Sequence, residues 1–455
     1  MASLAAPAVL VQVGLMSMGV VDTVMAGRLS AATIAAVALG NLYLFILSVG
    51  GLGTLLALDP IVSQAVGAGD EPAIARSLQR GLILAVGISA LLALALWPAE
   101  PALRLLRQPA DVVPDAARFA RASIAGVLPF FWFAVLRVSL QAIGRMRGIV
   151  IAVLIGNVAN VFLNWVLMYG NLGAPRLGAS GAAWSSSIGR WIMFGALLAA
   201  GWDELRPHLR PLRAEALDAT ALLRTARLGV PIGAQQLLEV GAFGAATVLM
   251  GLFGTVPLAG HEIALNLASL TFMVPLGVAT AAAVLVGQSV GAGDLTAARW
   301  HAASAIVCGV LFMVTSASLF LLAPGFLARL YSADAAVVAV TSVLLPLAGI
   351  FQVFDGIQAV SGGVLRGAGD VRAPMLANLL GFWAIGIPTG VALAFVLDLG
   401  PAGLWWGLVA GLAAVALMLL LRVRVKLSRH VERLDVEGTT RELVTATSAR
   451  AREEK

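Results

Sequence analysis

The chain is short of charge, almost free of cysteine and thinly supplied with histidine, and each shortage removes a class of function. Charged residues make up 12% of its 455 positions, against about a quarter in an ordinary soluble domain, so a soluble globular fold is excluded. The one cysteine, Cys308, cannot build an internal disulfide, a cysteine-only zinc site or a redox pair, and reads as a small packing residue. The histidines, His208, His261, His301 and His430, are dispersed without HExxH or any other ligand spacing. No nucleophile, base and orienting group stand together in a recognisable motif, so an enzyme is not expected. The GAGD segments lack the Lys and Ser/Thr that complete a phosphate-binding loop, which argues against ATP as an energy source.

What remains is apolar: 60% of the residues are hydrophobic, the composition of an integral membrane protein. A bilayer core about 30 Å thick needs roughly 20 apolar residues per helix. The runs at 4–27, 32–58, 78–97, 117–143, 148–170, 178–201, 226–253, 258–288, 300–323, 336–365, 372–396 and 401–425 meet that need. They do not alternate polar with apolar residues, so barrel strands are excluded.

The chain also repeats itself. SQAVGAGD at Ser63 to Asp70 returns as GQSVGAGD at Gly287 to Asp294, a spacing of 288 − 64 = 224 residues. Pro7, Gln12 and Thr23-Val24 match Pro231, Gln236 and Thr247-Val248 at the same offset. Leu140 to Arg147 parallels Leu365 to Arg372, and LGASGAAW from Leu177 parallels LGPAGLWW from Leu399. Six helices per copy return the chain to its starting side, so the expected fold is all-α, with twelve transmembrane helices as two parallel six-helix repeats around a central cavity. The expected divisions are an N-terminal bundle over 1–201, a linker over 202–225, a C-terminal bundle over 226–425 and a tail over 426–455. Pro207 and Pro211 break the linker, the tail reads as solvated helix or disorder, and the GAGD turns read as tight connections in which Gly permits positive φ.

Lys and Arg favour the cytoplasmic side of short loops. With the N-terminus inside, that side carries Arg76, Arg80, Arg145, Arg147, Arg224, Arg227, Arg372 and the basic tail. Both termini are therefore expected in the cytoplasm, and the basic balance is read as topology near anionic lipid rather than as nucleic-acid binding. The chain starts almost directly in its first helix, without the basic region of a signal peptide.

Charges stranded in apolar helices are costly, about 2.5 to 3.5 kcal/mol each at mid-bilayer on insertion scales. Asp22, Glu239 and Asp355 lie in the first, seventh and tenth runs and must face a cavity or a partner. Gln235 and Gln236 precede Glu239 by four and three residues, with Phe243 one turn on, so amides, carboxyl and ring share a stripe. Gln352 and Gln358 flank Asp355 at three residues, with Phe351 and Phe354 adding aromatic surface. Phe272 joins this expected substrate cavity from the eighth run. The competing reading makes each acid a neutral carboxyl hydrogen-bonded between helices. Arg137 is expected to snorkel from its helix end and Arg190 to pair with an acid or a helix C-terminus. His261 and Glu262 are expected to begin the eighth helix near the outer interface, as structural residues.

VDTVMAG at Val21 to Gly27, PIVSQAVGAGD at Pro60 to Asp70, LLEVGAFGAATVLM from Leu237, AGHEIALNLASLTFMVPLGV from Ala259 and FQVFDGIQAVSGGVLRGAGD from Phe351 resemble, in order and spacing, segments of the multidrug and toxic compound extrusion transporters, NorM branch. The resemblance covers nearly the whole chain. It implies a coupling-cation site at Glu239 and Asp355, and a second candidate cation site at Asp22, Asn160, Asn164 and Ser186. At 164 some relatives carry Asp, and at 351 some carry Tyr, so Asn164 weakens the second site and Phe351 offers only a ring face. For the two asparagines, amide bonding between helices is an equal reading.

The resemblance and the residues agree on a secondary active exporter of lipophilic organic cations in antiport with Na⁺ or H⁺. Carboxylates in a low-dielectric cavity and aromatic faces attract such cations without requiring exact shape. Met16, Met18, Met25, Met250 and Met273 read either as adaptable contacts or, equally, as packing residues. The expected partners are small cationic drugs and the lipid bilayer, with no nucleic acid and no cofactor beyond the coupling ion, Na⁺ being the metal that Glu239 and Asp355 would hold. The chain is expected to act as a monomer in a bacterial inner membrane. The alternative is a lipid-linked precursor flippase of the same superfamily, whose cavity should be basic.

Overall fold

An apolar chain in lipid has to satisfy its backbone amides within its own segment. The computed structural model describes residues 2–429, 431–434 and 436, and those residues form helices with no strand among them. The long helices are α1 (Ala2–Gly27), α2 (Ala31–Leu55, continued after a break by Leu58–Gly67), α3 (Glu71–Leu96), α4 (Val113–Ala142), α5 (Arg147–Leu167), α6 (Ala179–Ala200), α7 (Ala219–Gly251), α8 (Thr255–Gly291), α9 (Leu295–Leu322), α10 (Ala335–Gly367), α11 (Arg372–Val396) and α12 (Gly400–Ser428). All but α6 are long and apolar enough to cross a membrane. Helix α6 carries Arg190 and the run Ser185 to Ser187, which dilute its hydropathy.

All twelve expected runs are helices, and several start earlier than expected, α3 at Glu71 rather than 78 and α9 at Leu295 rather than 300 among them. Helix α7 begins at Ala219 rather than 226, because the Asp218 side chain accepts from the Thr220 amide and caps it. Helix α8 begins at Thr255, which leaves His261 a turn and a half inside. His261 is fully buried there, against the Trp405 ring at 5.6 Å and the Thr247 hydroxyl at 3.1 Å, as a packed residue between helices.

The duplicated GAGD segments make one device three times. Gly69, Gly293 and Gly369 take φ of +67°, +73° and +76°, and the Asp that follows each, Asp70, Asp294 or Asp370, caps the next helix by accepting from an amide three residues on.

The buried core divides with the sequence. One cluster gathers Leu78, Phe131, Phe133 and Leu136 from α3 and α4; the other gathers Phe351, Phe382 and Trp405 from α10, α11 and α12. Between the halves, α1 packs on α8 and α2 on α7. The close approaches gather at the end that holds the GAGD turns. A Cβ placed on Gly67 would lie 1.9 Å from the Gln288 carbonyl oxygen, and one on Gly291 would lie 2.0 Å from that of Gln64. Gln64 Nε2 donates to Gly367 O at 2.9 Å, and Gln288 Nε2 to Ala142 O at 2.7 Å.

An unduplicated ion pair lies beside these contacts. Arg366 Nη1 of α10 donates to Asp59 Oδ2 at 3.2 Å, with Asp59 buried. Arg137, expected to snorkel, is buried instead. It feels the charges of Asp59 and Arg366, and its Nη1 lies 3.5 Å from Gln12 Oε1. Turning inward gives its guanidinium acceptors that an apolar boundary would not.

The linker docks on α3: Gln79 donates to His208 O and Pro211 O and accepts from Arg213 N, while Arg80 Nη2 donates to Glu215 O at 2.8 Å. Residues 431–434 and 436 of the tail are non-helical and seated against the protein, and the rest of the segment expected as solvated helix or disorder lies outside the described residues. Leu434 N donates to Gln64 Oε1 at 2.8 Å, Arg433 pairs with Asp70 at 2.9 Å, and Arg224 donates to Val436 O at 3.1 Å. Partial burial opposes ionisation of Asp70, but the Ala73 amide and Arg433 outweigh it and hold its carboxyl below the usual range. His430 and residues 437–455 lie outside the described residues.

Candidate cation and substrate sites

Helical phase brings the polar positions of α1, α5 and α6 to one point. Asn160 and Asn164 are one turn apart on α5 and face α1. Asp22 Oδ1 accepts from Asn160 Nδ2 at 3.1 Å and from Asn164 Nδ2 at 2.6 Å, and Ser186 Oγ of α6 donates to Asp22 Oδ2 at 2.6 Å. Asn160 Nδ2 also reaches Ser186 Oγ at 3.0 Å. All four members of the second candidate site are thus in one cluster. The buried Asn164 Oδ1 has no donor among the described residues.

The C-terminal half repeats the plan with different residues. Glu239 Oε2 of α7 accepts from Gln358 Nε2 of α10 at 3.1 Å and from Asn378 Nδ2 of α11 at 3.2 Å. Asp355, one turn before Gln358, is buried and feels the charge of Glu239. No arginine or lysine pairs with either carboxyl among the described residues. Gln358 Oε1 is again a buried amide oxygen without a donor. Each half therefore holds a carboxylate clamped by amides from neighbouring helices, with one unsatisfied amide oxygen beside it.

Such sets are oxygen-rich and hard, suited to a proton or an alkali cation rather than to a soft metal. Among the described residues no three His, Cys, Asp or Glu side chains gather as for a metal ion.

The aromatic residues around Asp355 form a chain. Phe243 lies 5.8 Å from both Phe351 and Phe382, and Phe351 lies 5.8 Å from Trp405. Phe351 and Gln352 are buried, with Gln352 Oε1 accepting from Thr271 Oγ1 at 2.8 Å and Ser316 Oγ at 3.3 Å. Gln235, Gln236, Phe243, Phe272 and Phe354 keep partial exposure.

A cavity of about 600 Å³ lies in the N-terminal half, lined by Met16, Met18, Asp22, Phe45, Phe130 and Arg190 among others. Arg190 feels the charge of Asp22 and lays its guanidinium 4.9 Å from the Phe130 ring centre. Of these two, Asp22 is the acid, reaching Arg190 through its charge, and Arg190 stands one turn from Ser186 on α6.

Sequence reasoning missed Asn378 and Asp59. Asn378 stands alone in an apolar run, the same signal that drew attention to the acids. Asp59 falls just past the end of an assigned span, so its burial was invisible.

A family profile described as MatE matches residues 7–166 and again 231–392, the two starts 231 − 7 = 224 residues apart. The chain is 36% identical over 425 residues to a probable multidrug resistance protein NorM of Rhizobium meliloti (strain 1021), covering 91% of each. It is 35% identical over 434 residues to the multidrug resistance protein MdtK of Pectobacterium atrosepticum, covering 93% of this chain and 94% of that one. Among solved structures, the Vibrio cholerae MATE transporter VcmN in its bent form superposes with a TM-score of 0.82 at 21% identity, covering 93% of this chain and 95% of that one. The eukaryotic MATE transporter AtDTX14 gives 0.83 at 21% identity, covering 97% and 96%. At that identity the structures speak for the fold alone.

Proposed function

The chain belongs to the MatE family, and on that premise we propose that it is a multidrug efflux transporter exporting lipophilic organic cations in exchange for Na⁺ or H⁺. The observation that carries this reading is the pairing of Glu239 with Asp355, two neighbouring carboxyls with no basic partner among the described residues and a donor-free amide oxygen, Gln358 Oε1, beside them. Two close carboxylates resist ionising together unless a cation joins them. A coupling ion and a cationic drug then compete for the same negative charge.

The halves meet at the GAGD end and the cavity at Asp22 lies beyond that contact, so this arrangement is read as facing outward, with both termini in the cytoplasm of a bacterial inner membrane. An inward ion gradient loads Glu239 and Asp355 from outside, the drug leaves, and the emptied cytoplasmic contact reopens. Each net charge moved is worth about 2.3 kcal/mol per 100 mV, which adds to the ion's concentration gradient whenever more ion charge enters than drug charge leaves. The boundaries 1–201, 202–225, 226–425 and 426–455 serve this cycle as two rocking bundles, a docked connector and a tail. The Asp22, Asn160, Asn164 and Ser186 cluster is the second cation site of the same reading, and the N-terminal cavity is where a drug would lie nearest to it.

The test is efflux of a fluorescent organic cation from proteoliposomes under an imposed Na⁺ gradient and, separately, an imposed pH gradient. Transport driven by one or both is expected. Transport driven by neither, in protein shown to be inserted and folded, would reject antiport.

A further inference from the structure

We propose that the groove between α7, α11 and α12 at the tail-bearing end is a binding site for an anionic phospholipid of the cytoplasmic leaflet. The choice of leaflet rests on the orientation proposed above; the groove and its charge do not. A hollow of about 550 Å³ is walled by Leu228, Leu376, Leu380 and Met418, with Arg372 and Arg422 at its polar end. A second hollow of about 250 Å³ shares Leu228, Val371 and Arg372 with it and adds Arg224 and Arg227.

The basic residues are unequal in a way that points to a ligand. Arg422 is held by Asp370 at 2.6 Å, and Arg224 by the Val436 carbonyl at 3.1 Å. Arg227 and Arg372 are exposed, and neither guanidinium has an acceptor among the described residues. Their donors stand beside a half-exposed apolar wall, where Leu376 and Leu380 are each 50% exposed. Planar guanidinium donors match the oxygens of a phosphodiester, and the wall suits an acyl chain running down α11. A basic pocket between helices at this membrane face is where an anionic headgroup is attracted most.

Duplication does not explain the cluster. At the offset of 224 that relates α1 to α7, Arg227 corresponds to Ser3; at the offset of 222 that aligns Leu399 with Leu177, Arg422 corresponds to Ala200. Arg372 has a counterpart in Arg147, but Arg227 and Arg422 have none, so the gathering of these charges belongs to this half, where α7, which carries Glu239, begins. Lipid seated here would brace the base of α7 against α11, which carries Asn378.

The probe is phosphatidylglycerol, measured as lipid retained on the full chain by native mass spectrometry after delivery from phosphatidylcholine vesicles with and without it. The wild type is expected to retain phosphatidylglycerol in preference to phosphatidylcholine, and Arg227→Ala with Arg372→Ala to lose that preference by about tenfold or more. Leu376→Trp, which fills the wall and leaves the charge, is expected to lose it as well. The proposal is overturned by an unchanged preference in the arginine double variant, or by displacement of the lipid with inorganic phosphate at matched concentration. It is also overturned by a tenfold gain in retention when the chain is ended after Val436, which would make the groove the seat of the tail. All variants alter exposed side chains, so thermal unfolding at the wild-type temperature accompanies each as the check on folding.

Discussion

Gln64 and Gln288, placed 224 residues apart by the duplication, make the same hydrogen bond in opposite directions, each amide donating to a backbone carbonyl of the other half. Removing one leaves a buried carbonyl without its donor, a loss of about 1 to 3 kcal/mol. Gln64→Ala and Gln288→Ala are each expected to shift the balance toward opening at this end by about tenfold. Spin labels at the exposed turn positions 68 and 292, in a Cys308→Ser background, would show it as a longer distance population. Unchanged distances in both variants would refute a gate made of these bonds.

The glycines beside them have no room to spare. With a Cβ at 1.9 Å from Gln288 O or 2.0 Å from Gln64 O, Gly67→Ala and Gly291→Ala cannot reach the same closure without parting the halves. Efflux is expected to fall by about tenfold or more in each, from protein that still inserts. Efflux at the wild-type rate in both would mean that the observed contact is not part of the transport cycle.

Glu239→Gln and Asp355→Asn are expected to abolish gradient-driven efflux while the protein remains folded in the membrane. Asn378→Ala removes one of the two amides clamping Glu239 and is expected to weaken efflux by about tenfold, the scale of a hydrogen bond to a charged group. Proteoliposome transport measures all three, and full activity in both acid variants would reject the cation-site assignment.

The Asp59 to Arg366 pair is buried on the carboxylate side and has Arg137 beside it. Asp59→Asn leaves two guanidinium groups without a counter-charge, a loss of about 3 to 5 kcal/mol by the behaviour of broken buried pairs. Thermal unfolding in detergent should register it. The double variant Asp59→Asn with Arg366→Gln should recover part of the loss, and a strictly additive result would show that the two do not interact.

Much of this architecture was legible because lipid enforces simple rules. Apolar runs of sufficient length had to be helices, and the repeated motif fixed how the two sets of six relate. Asp22 and Glu239 announced themselves as charges in apolar surroundings, and their partners on α5, α6 and α10 followed from helical phase or from family resemblance. Packing across the halves was not legible. Nothing in the sequence around Asp59 tells which arginine it meets, because that depends on how α2 and α10 approach in space. Arg137 was misread for the same reason: its distance from the helix end allowed snorkelling, whereas the fold supplied Asp59 and Gln12 inside. The seat of residues 431–434 was not legible either, because the Leu434 amide that meets Gln64 is a backbone group and the partner of Arg433, Asp70, lies far away in sequence.

The bonds made by Gln64 and Gln288 end on main-chain oxygens, so the bond itself asks for no particular side chain on the receiving side. Residue 367 is a glycine and residue 142 an alanine, yet both serve equally, since any amino acid brings a carbonyl. The receiving side is therefore fixed by space and not by the bond: a Cβ on Gly367 would lie 2.4 Å from the Ala283 carbonyl oxygen, so packing alone holds that position small, whereas the two donating amides are held by the chemistry of their side chains.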